Sequence, residues 1–173
     1  MEGQSFITTK RLLIDPLTAA DTSFIIELLN TEGWIRFIGN RNIKSQEDAA
    51  VYIQKILDNN NIRYWVAKLR NSQESIGIIT YIQRDYLEHP DIGFAFLPNF
   101  ANMGYAYEAA NAVLHQLIAQ QNIRYILATT LPSNINSIKL LKKIGLQFEK
   151  EIEIENNKLH LYRAAADQIK DLV

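Results

Sequence analysis

Between the fourth strand-like run and the longest helical run the chain reads Leu97, Pro98, Asn99, Phe100, Ala101, Asn102, Met103, Gly104, Tyr105, Ala106. These residue types suit the binding of a diphosphate. Such a ligand needs several backbone N–H groups converging on it, and the start of a helix supplies them with a favourable dipole. Bringing backbone that close requires small residues or residues that accept left-handed dihedrals. Glycine does so freely and asparagine is the usual second choice. Gly104 and Asn102 meet that need, and Ala106 keeps the first helical turn slim. Taken alone, the loop also admits a plainer reading in which Gly104 only eases a strand-to-helix turn. No P-loop lysine follows the glycine, which argues against a nucleoside triphosphatase, and no Gly-x-Gly-x-x-Gly follows any strand, which disfavours a dinucleotide fold. The chain has no cysteine, so disulfides, thiolate metal sites and a cysteine nucleophile are excluded. His89, His115 and His160 are scattered without ligand spacing, and no metal is expected.

Periodicity supplies the elements that must position this loop. Ile7 to Asp15 is β-branched, closes at Pro16 and reads as one strand. Thr18 with Asp21, and Ser45 with Asp48, have capping-box spacing. Behind them, Phe24, Ile25, Leu28 and Leu29, then Tyr52, Ile53, Ile56 and Leu57, recur at helical spacing. Thr31 to Lys44, with two glycines and the exposed-looking Trp34 and Phe37, reads as a loop. Tyr64 to Leu69 and Ser75 to Gln83 form a hairpin, and Asp91 to Leu97 is a strand stopped by Pro98. Met103 to Gln120 is the strongest helix, burying Ala106, Ala109, Ala110, Val113, Leu114, Leu117 and Ile118. Tyr125 to Leu131 is a strand, Asn134 to Lys143 a short helix stopped at Gly145, and Leu146 to Glu153 with Lys158 to Ala165 a closing hairpin. The expectation is one α/β domain over residues 1–173, with a mixed, mostly antiparallel sheet of about seven strands and four helices. Its one parallel crossover runs through the Met103 to Gln120 helix.

The chain has 173 residues, 47% hydrophobic and 21% charged, with a formal charge of -1. That is ordinary globular composition for one domain. It offers no electrostatic case for nucleic acid or an anionic membrane. Met1 to Ser5 has no basic flank followed by an apolar run, so a secretory leader is not expected, and no run approaches the ~20 apolar residues of a membrane span. A soluble, cytoplasmic protein is expected.

With the elements assigned, four blocks resemble the GNAT superfamily of N-acetyltransferases, in particular its ribosomal-protein alanine and serine N-terminal acetyltransferase branch. They are Thr9-Lys10-Arg11-Leu12, Asp91-Ile92-Gly93-Phe94, Pro98 through Gly104-Tyr105-Ala106-Tyr107-Glu108-Ala109, and Asn134 through Ser137, Leu140-Leu141 and Gly145 to Phe148. The chain departs from the pattern where Asn102 replaces the first loop glycine, Ala101 a preceding aromatic, and Gly145-Leu146-Gln147-Phe148 the usual Gly-Phe. The resemblance implies acetyl-CoA as co-substrate, with pantetheine along Phe96 and Leu97 and the pyrophosphate on the amides of Asn102, Met103, Gly104, Tyr105, Ala106 and Tyr107. It implies Asn134 near pantetheine and Ser137 near the sulfur. Acetyl transfer to an amine requires a neutral amine and a protonated leaving thiolate. Relatives supply the second proton from a tyrosine at the position of Leu141, which leaves Ser137 as the candidate acid here. Asp91 matches an acidic strand residue and is the candidate base. Glu88 and His89 read as solvated, and Glu108 as a structural complement to the helix dipole. Trp34, Phe37 and Tyr81 are candidates for gripping the acceptor. The expected partner is an amine of unspecified identity, with a second copy of the chain left open. The alternative is a non-catalytic CoA-binding module of the same fold.

Overall fold

Residues 6–120 and 122–170 are described by a computed structural model. Both capping boxes are formed. Thr18 and Asp21 open a 3-10 turn that continues into α1 (Thr22–Leu29). The Ser45 hydroxyl accepts from the Asp48 amide at 3.0 Å and Asp48 accepts from the Ser45 amide at 3.0 Å, opening α3 (Gln46–Leu57). Between them lies a helix where the sequence suggested a loop. In α2 (Glu32–Phe37), Thr31 is the N-cap, accepting from the Trp34 amide. Six residues are too few to display a helical period, and Gly33 further masks it.

Among the described residues eight strands form one sheet in the order β1-β2-β3-β4-β5-β6-β8-β7. They are β1 (Ile7–Thr8), β2 (Leu12–Pro16), β3 (Ile62–Leu69), β4 (Ser75–Ile82), β5 (Asp91–Phe96), β6 (Tyr125–Thr130), β7 (Gln147–Ile154) and β8 (Asn157–Ala165). The single opening strand expected from the sequence is therefore two, paired antiparallel and broken at Thr9–Arg11. That turn is held from outside. The Arg70 amide donates to the Arg11 carbonyl, and the Arg70 guanidinium donates to the carbonyls of Thr9 and Lys10. Every pairing is antiparallel except β5 with β6, which α4 (Tyr105–Gln120) connects. α5 (Ile135–Lys143) ends at Gly145, whose φ is 104°. A short α6 (Ala166–Lys170) follows β8.

Strand alternation divides the core between two faces. Trp65 and Ala67 turn toward the face covered by α4, in one core cluster with Val113, Leu114 and Leu117. Tyr64 and Val66 turn the other way, toward Phe24, Ile25, Trp34 and Ile53. The face predicted for α4 is buried from Ala109 onward, with Ala106 half-buried beside the loop. Gly77, opposite Phe96 across the β4–β5 ladder, has its Cβ position filled by the Phe96 ring. Gly77→Ala should push that ring off β5 and destabilise the protein by about 1–3 kcal/mol. Urea unfolding of the variant checks this.

Candidate active site

The sheet parts in its middle. β5 and β6 share one register pair, Asp91 with Leu127, and the Leu127 amide bonds the Pro90 carbonyl at 3.0 Å. On their outer sides both strands stay paired along their length, β5 with β4 and β6 with β8. Because the Leu97 amide bonds the Ile76 carbonyl, the antiparallel alternation turns the peptide groups of Phe94 and Phe96 away from β4 and into the opening. A length of strand edge is thus presented inside the sheet, the arrangement that binds an extended, amide-bearing ligand.

The opening widens toward the loop that the sequence singled out. A 3-10 turn over Pro98–Phe100 leads into Ala101, then Asn102 and Gly104 both take left-handed dihedrals, with φ of 60° and 82°. Asparagine thus adopts the conformation for which glycine is the usual choice. The first bond of α4 is the Glu108 amide to the Gly104 carbonyl at 3.0 Å, so the amides of Tyr105, Ala106 and Tyr107 have no acceptor within the helix. These donors and the positive helix end suit a diphosphate, and the exposed edge of β5 suits a pantetheine arm. The residues present therefore fit coenzyme A.

At the narrow end sits Asp91, 3% exposed. Arg84 donates from Nε to its Oδ2 at 2.7 Å, while Oδ1 is buried without a hydrogen-bond partner. Burial pushes the Asp91 carboxyl above the usual carboxylate range, and Arg84 only partly opposes it. Near the pair lie Tyr64, whose hydroxyl burial pushes well above its ordinary value, and Tyr86, whose ring lies 5.9 Å from the Arg84 guanidinium. Sequence reasoning missed Arg84, because it reaches Asp91 from the loop after β4 and forms no recognisable motif with it.

Asn134 caps α5, its side-chain oxygen accepting from the Ser137 amide at 3.3 Å, and Ser137 is half-buried in the first turn. Leu141 is 1% exposed and packed in the α4 core. Trp34 is a correction. It is 5% exposed and packs among Phe24, Ile25 and Ile53, so its ring is core and does not face a ligand from the surface. Phe37 is half-buried under the Arg36 guanidinium, 5.0 Å from its ring. Tyr81 is buried on the α4 face, with Arg63 5.8 Å away. His89 is half-buried rather than solvated, its ring 5.0 Å from that of Tyr125, and Glu88 is exposed. Among the described residues no three His, Asp or Glu side chains gather to hold a metal, and no helix is long and apolar enough to cross a membrane.

A parallel crossover, a parted sheet and a helix start at the mouth of the parting whose first amides have no acceptor within the helix make up a fold of the acetyltransferase type. Residues 11–147 match the acetyltransferase (GNAT) domain family. The chain is 35% identical to an uncharacterized N-acetyltransferase of Bacillus subtilis, YnaD, over 83% of each chain. Among solved structures it superposes on the spermidine N-acetyltransferase of Vibrio cholerae in complex with CoA and spermine, with a TM-score of 0.80, 16% identity and coverage of 94% of this chain and 99% of that one. It also superposes on the ribosomal-protein-S5-alanine acetyltransferase of Vibrio fischeri, with a TM-score of 0.75, 18% identity and coverage of 95% and 98%. This chain belongs to the GNAT acetyltransferase family, and its enzyme class is N-acetyltransferase.

The ion pair sets a pH signature. A buried carboxylate that loses its cation is costly only while ionised. Arg84→Met should therefore destabilise the protein by about 2–3 kcal/mol near neutral pH, below the cost of a fully enclosed pair because the Arg84 side chain is 34% exposed. The variant raises the Asp91 carboxyl further, so stability is retained in acid, where the group is protonated, and lost as pH rises through its titration. Urea unfolding at pH 5 and pH 8 should show the larger deficit at the higher pH.

Proposed function

We propose that this protein transfers the acetyl group of acetyl-CoA directly to a primary amine, on a protein N-terminus or a small molecule, without an acyl-enzyme intermediate. The observation that carries the proposal is the alignment of the left-handed Asn102 and Gly104 with the mouth of the β5–β6 opening. The diphosphate meets the amides of Asn102 to Tyr107, and the pantetheine arm pairs with the edge of β5 at Phe94 and Phe96, since both main-chain groups of Leu97, which the sequence also suggested, are taken by Ile76 and Phe100. The thioester reaches toward the narrow end. There the amine nitrogen forms a bond to the acetyl carbon, the carbon–sulfur bond breaks, and CoA leaves as a thiolate. An acceptor amine is mostly protonated at neutral pH, more so for a lysine-type amine than for an α-amine. Asp91, with its raised affinity for protons, takes up the ammonium proton, directly or through water. Ser137, with Asn134 holding its helix start, relays to the sulfur the second proton that the nitrogen loses as the amide forms, so the hydroxyl ends as it began. Most of the acceleration comes from holding amine and thioester in line.

The buried Leu141 removes the tyrosine acid that relatives use, and this favours a second reading, a CoA-binding module without catalysis. Two measurements separate the readings. Acetyl-CoA at ~100 times its dissociation constant should add ~2.7 kcal/mol of stability, and release of CoA thiol across an amine panel should identify the acceptor. No thermal shift at saturating acetyl-CoA would refute both. A shift with no thiol released by peptide, polyamine, amino-acid or aminoglycoside amines would favour the module. Gly104→Val should abolish the shift while leaving the circular dichroism spectrum intact, since a β-branched residue is strained at φ 82° and its Cβ would lie 3.2 Å from Arg11 Nη2.

A further inference from the structure

The first half of the loop is braced by its own 3-10 turn and by Phe100 packed against the core, but its tip at Asn102 to Gly104 is exposed. Asn102 and Gly104 are left-handed, Met103 between them is 51% exposed, and the peptide groups must nevertheless be aimed before a ligand arrives. The support comes from the other end of the chain. Arg11 donates from Nη1 to the Met103 carbonyl at 2.9 Å, its guanidinium lies 4.2 Å from the centre of the Tyr105 ring, and Nη2 occupies the space beside Gly104 where a Cβ would point. One side chain thus touches three consecutive loop residues.

That side chain is in turn held by Glu108, in the first turn of the helix the loop begins. Glu108 Oε2 accepts from Arg11 Nε at 2.7 Å, while Oε1 accepts from the Arg11 amide at 2.8 Å and the Thr9 hydroxyl at 2.6 Å. The Arg11 carbonyl is fixed by the Arg70 amide at 3.0 Å. Burial alone would raise the Glu108 carboxyl, and the bonds from Thr9 and Arg11 reverse this, leaving it below its ordinary range and charged at neutral pH. A charged, planar donor tied at both backbone and side chain loses little freedom in holding the loop.

We propose that Arg11 is a positioning residue for cofactor binding: clamped by Glu108, it holds the Met103–Tyr105 backbone in the shape that receives the diphosphate. The inference rests on the acetyl-CoA reading above and adds a residue to it. An arginine is required because Nε and Nη1 serve different partners at once, a reach that the single ammonium of lysine lacks.

The test measures the dissociation constant of CoA by calorimetry and the amide hydrogen exchange of residues 102–107 in the CoA-free protein, for wild type, Arg11→Met and Arg11→Lys. Arg11→Met should weaken CoA by ~10- to 100-fold, the range for losing charge-assisted hydrogen bonds. It should accelerate exchange in the loop while leaving β3 and β4 protected, and Arg11→Lys should fall between. A purely structural role would instead raise exchange across the sheet. If wild type binds CoA and Arg11→Met binds it equally well, the clamp is overturned and the acetyl-CoA reading stands. If wild type binds no CoA, the acetyl-CoA reading fails, and the proposed role of Arg11 in cofactor binding falls with it. Should Arg11→Met not fold, Arg11→Lys with wild-type affinity and loop exchange would equally overturn the need for the fork.

Discussion

A β-sheet keeps its interior strands because each satisfies main-chain groups on both sides. In this protein that rule is suspended at one place. β5 and β6 run parallel, share the pair Asp91 with Leu127, and then separate, although each remains paired with its outer neighbour. The parting leaves backbone donors and acceptors of β5 facing a wedge in the middle of the molecule. Such groups must meet water or a ligand that carries amides of its own. Everything else at the site follows from this. β5 runs straight into the Leu97–Gly104 loop, so the wide end of the wedge opens onto the amides at the start of α4, and the narrow end closes on Asp91.

The two ends of β5 therefore carry different electrostatics. Six strand residues at ~3.3 Å each hold them roughly 17 Å apart. At the loop end the field comes from main-chain dipoles, which cannot titrate and favour a fixed anion at any physiological pH. At the Asp91 end the groups are titratable and desolvated, and a carboxyl that resists ionisation is balanced by one arginine. The main-chain dipoles and the titratable pair are thus kept apart by the length of a strand. The strand joining them offers the main-chain edge on which a long, flexible ligand can be laid out.

How well the sequence conveyed this depended on the range of the interactions involved. The capping boxes at Thr18 and Ser45, the apolar face of α4 from Ala109 onward and the stop at Gly145 rest on contacts within a few residues, and these are formed as read. Asn102 and Gly104 were legible for the same reason, since left-handed dihedrals are a property of single residues. The errors lie where distant segments decide. Thr9 to Arg11 looks like strand because its residues suit one, and it is a turn because Arg70 and Glu108 take its hydrogen bonds. Trp34 looks exposed in a glycine-containing stretch and is core because α2 folds its ring under α1 and α3.

By itself, then, the sequence determined most of the element types, the buried face of the long helix and the left-handed positions of the loop before it, because propensity, periodicity and backbone freedom are local properties. The tertiary structure alone decided that β5 and β6 part after one pair, that Asp91 is buried against Arg84 with one oxygen unpartnered, and that Arg11 meets a glutamate 97 residues away. Those outcomes depend on which surfaces are brought together and how much water is expelled between them, and no local pattern encodes either.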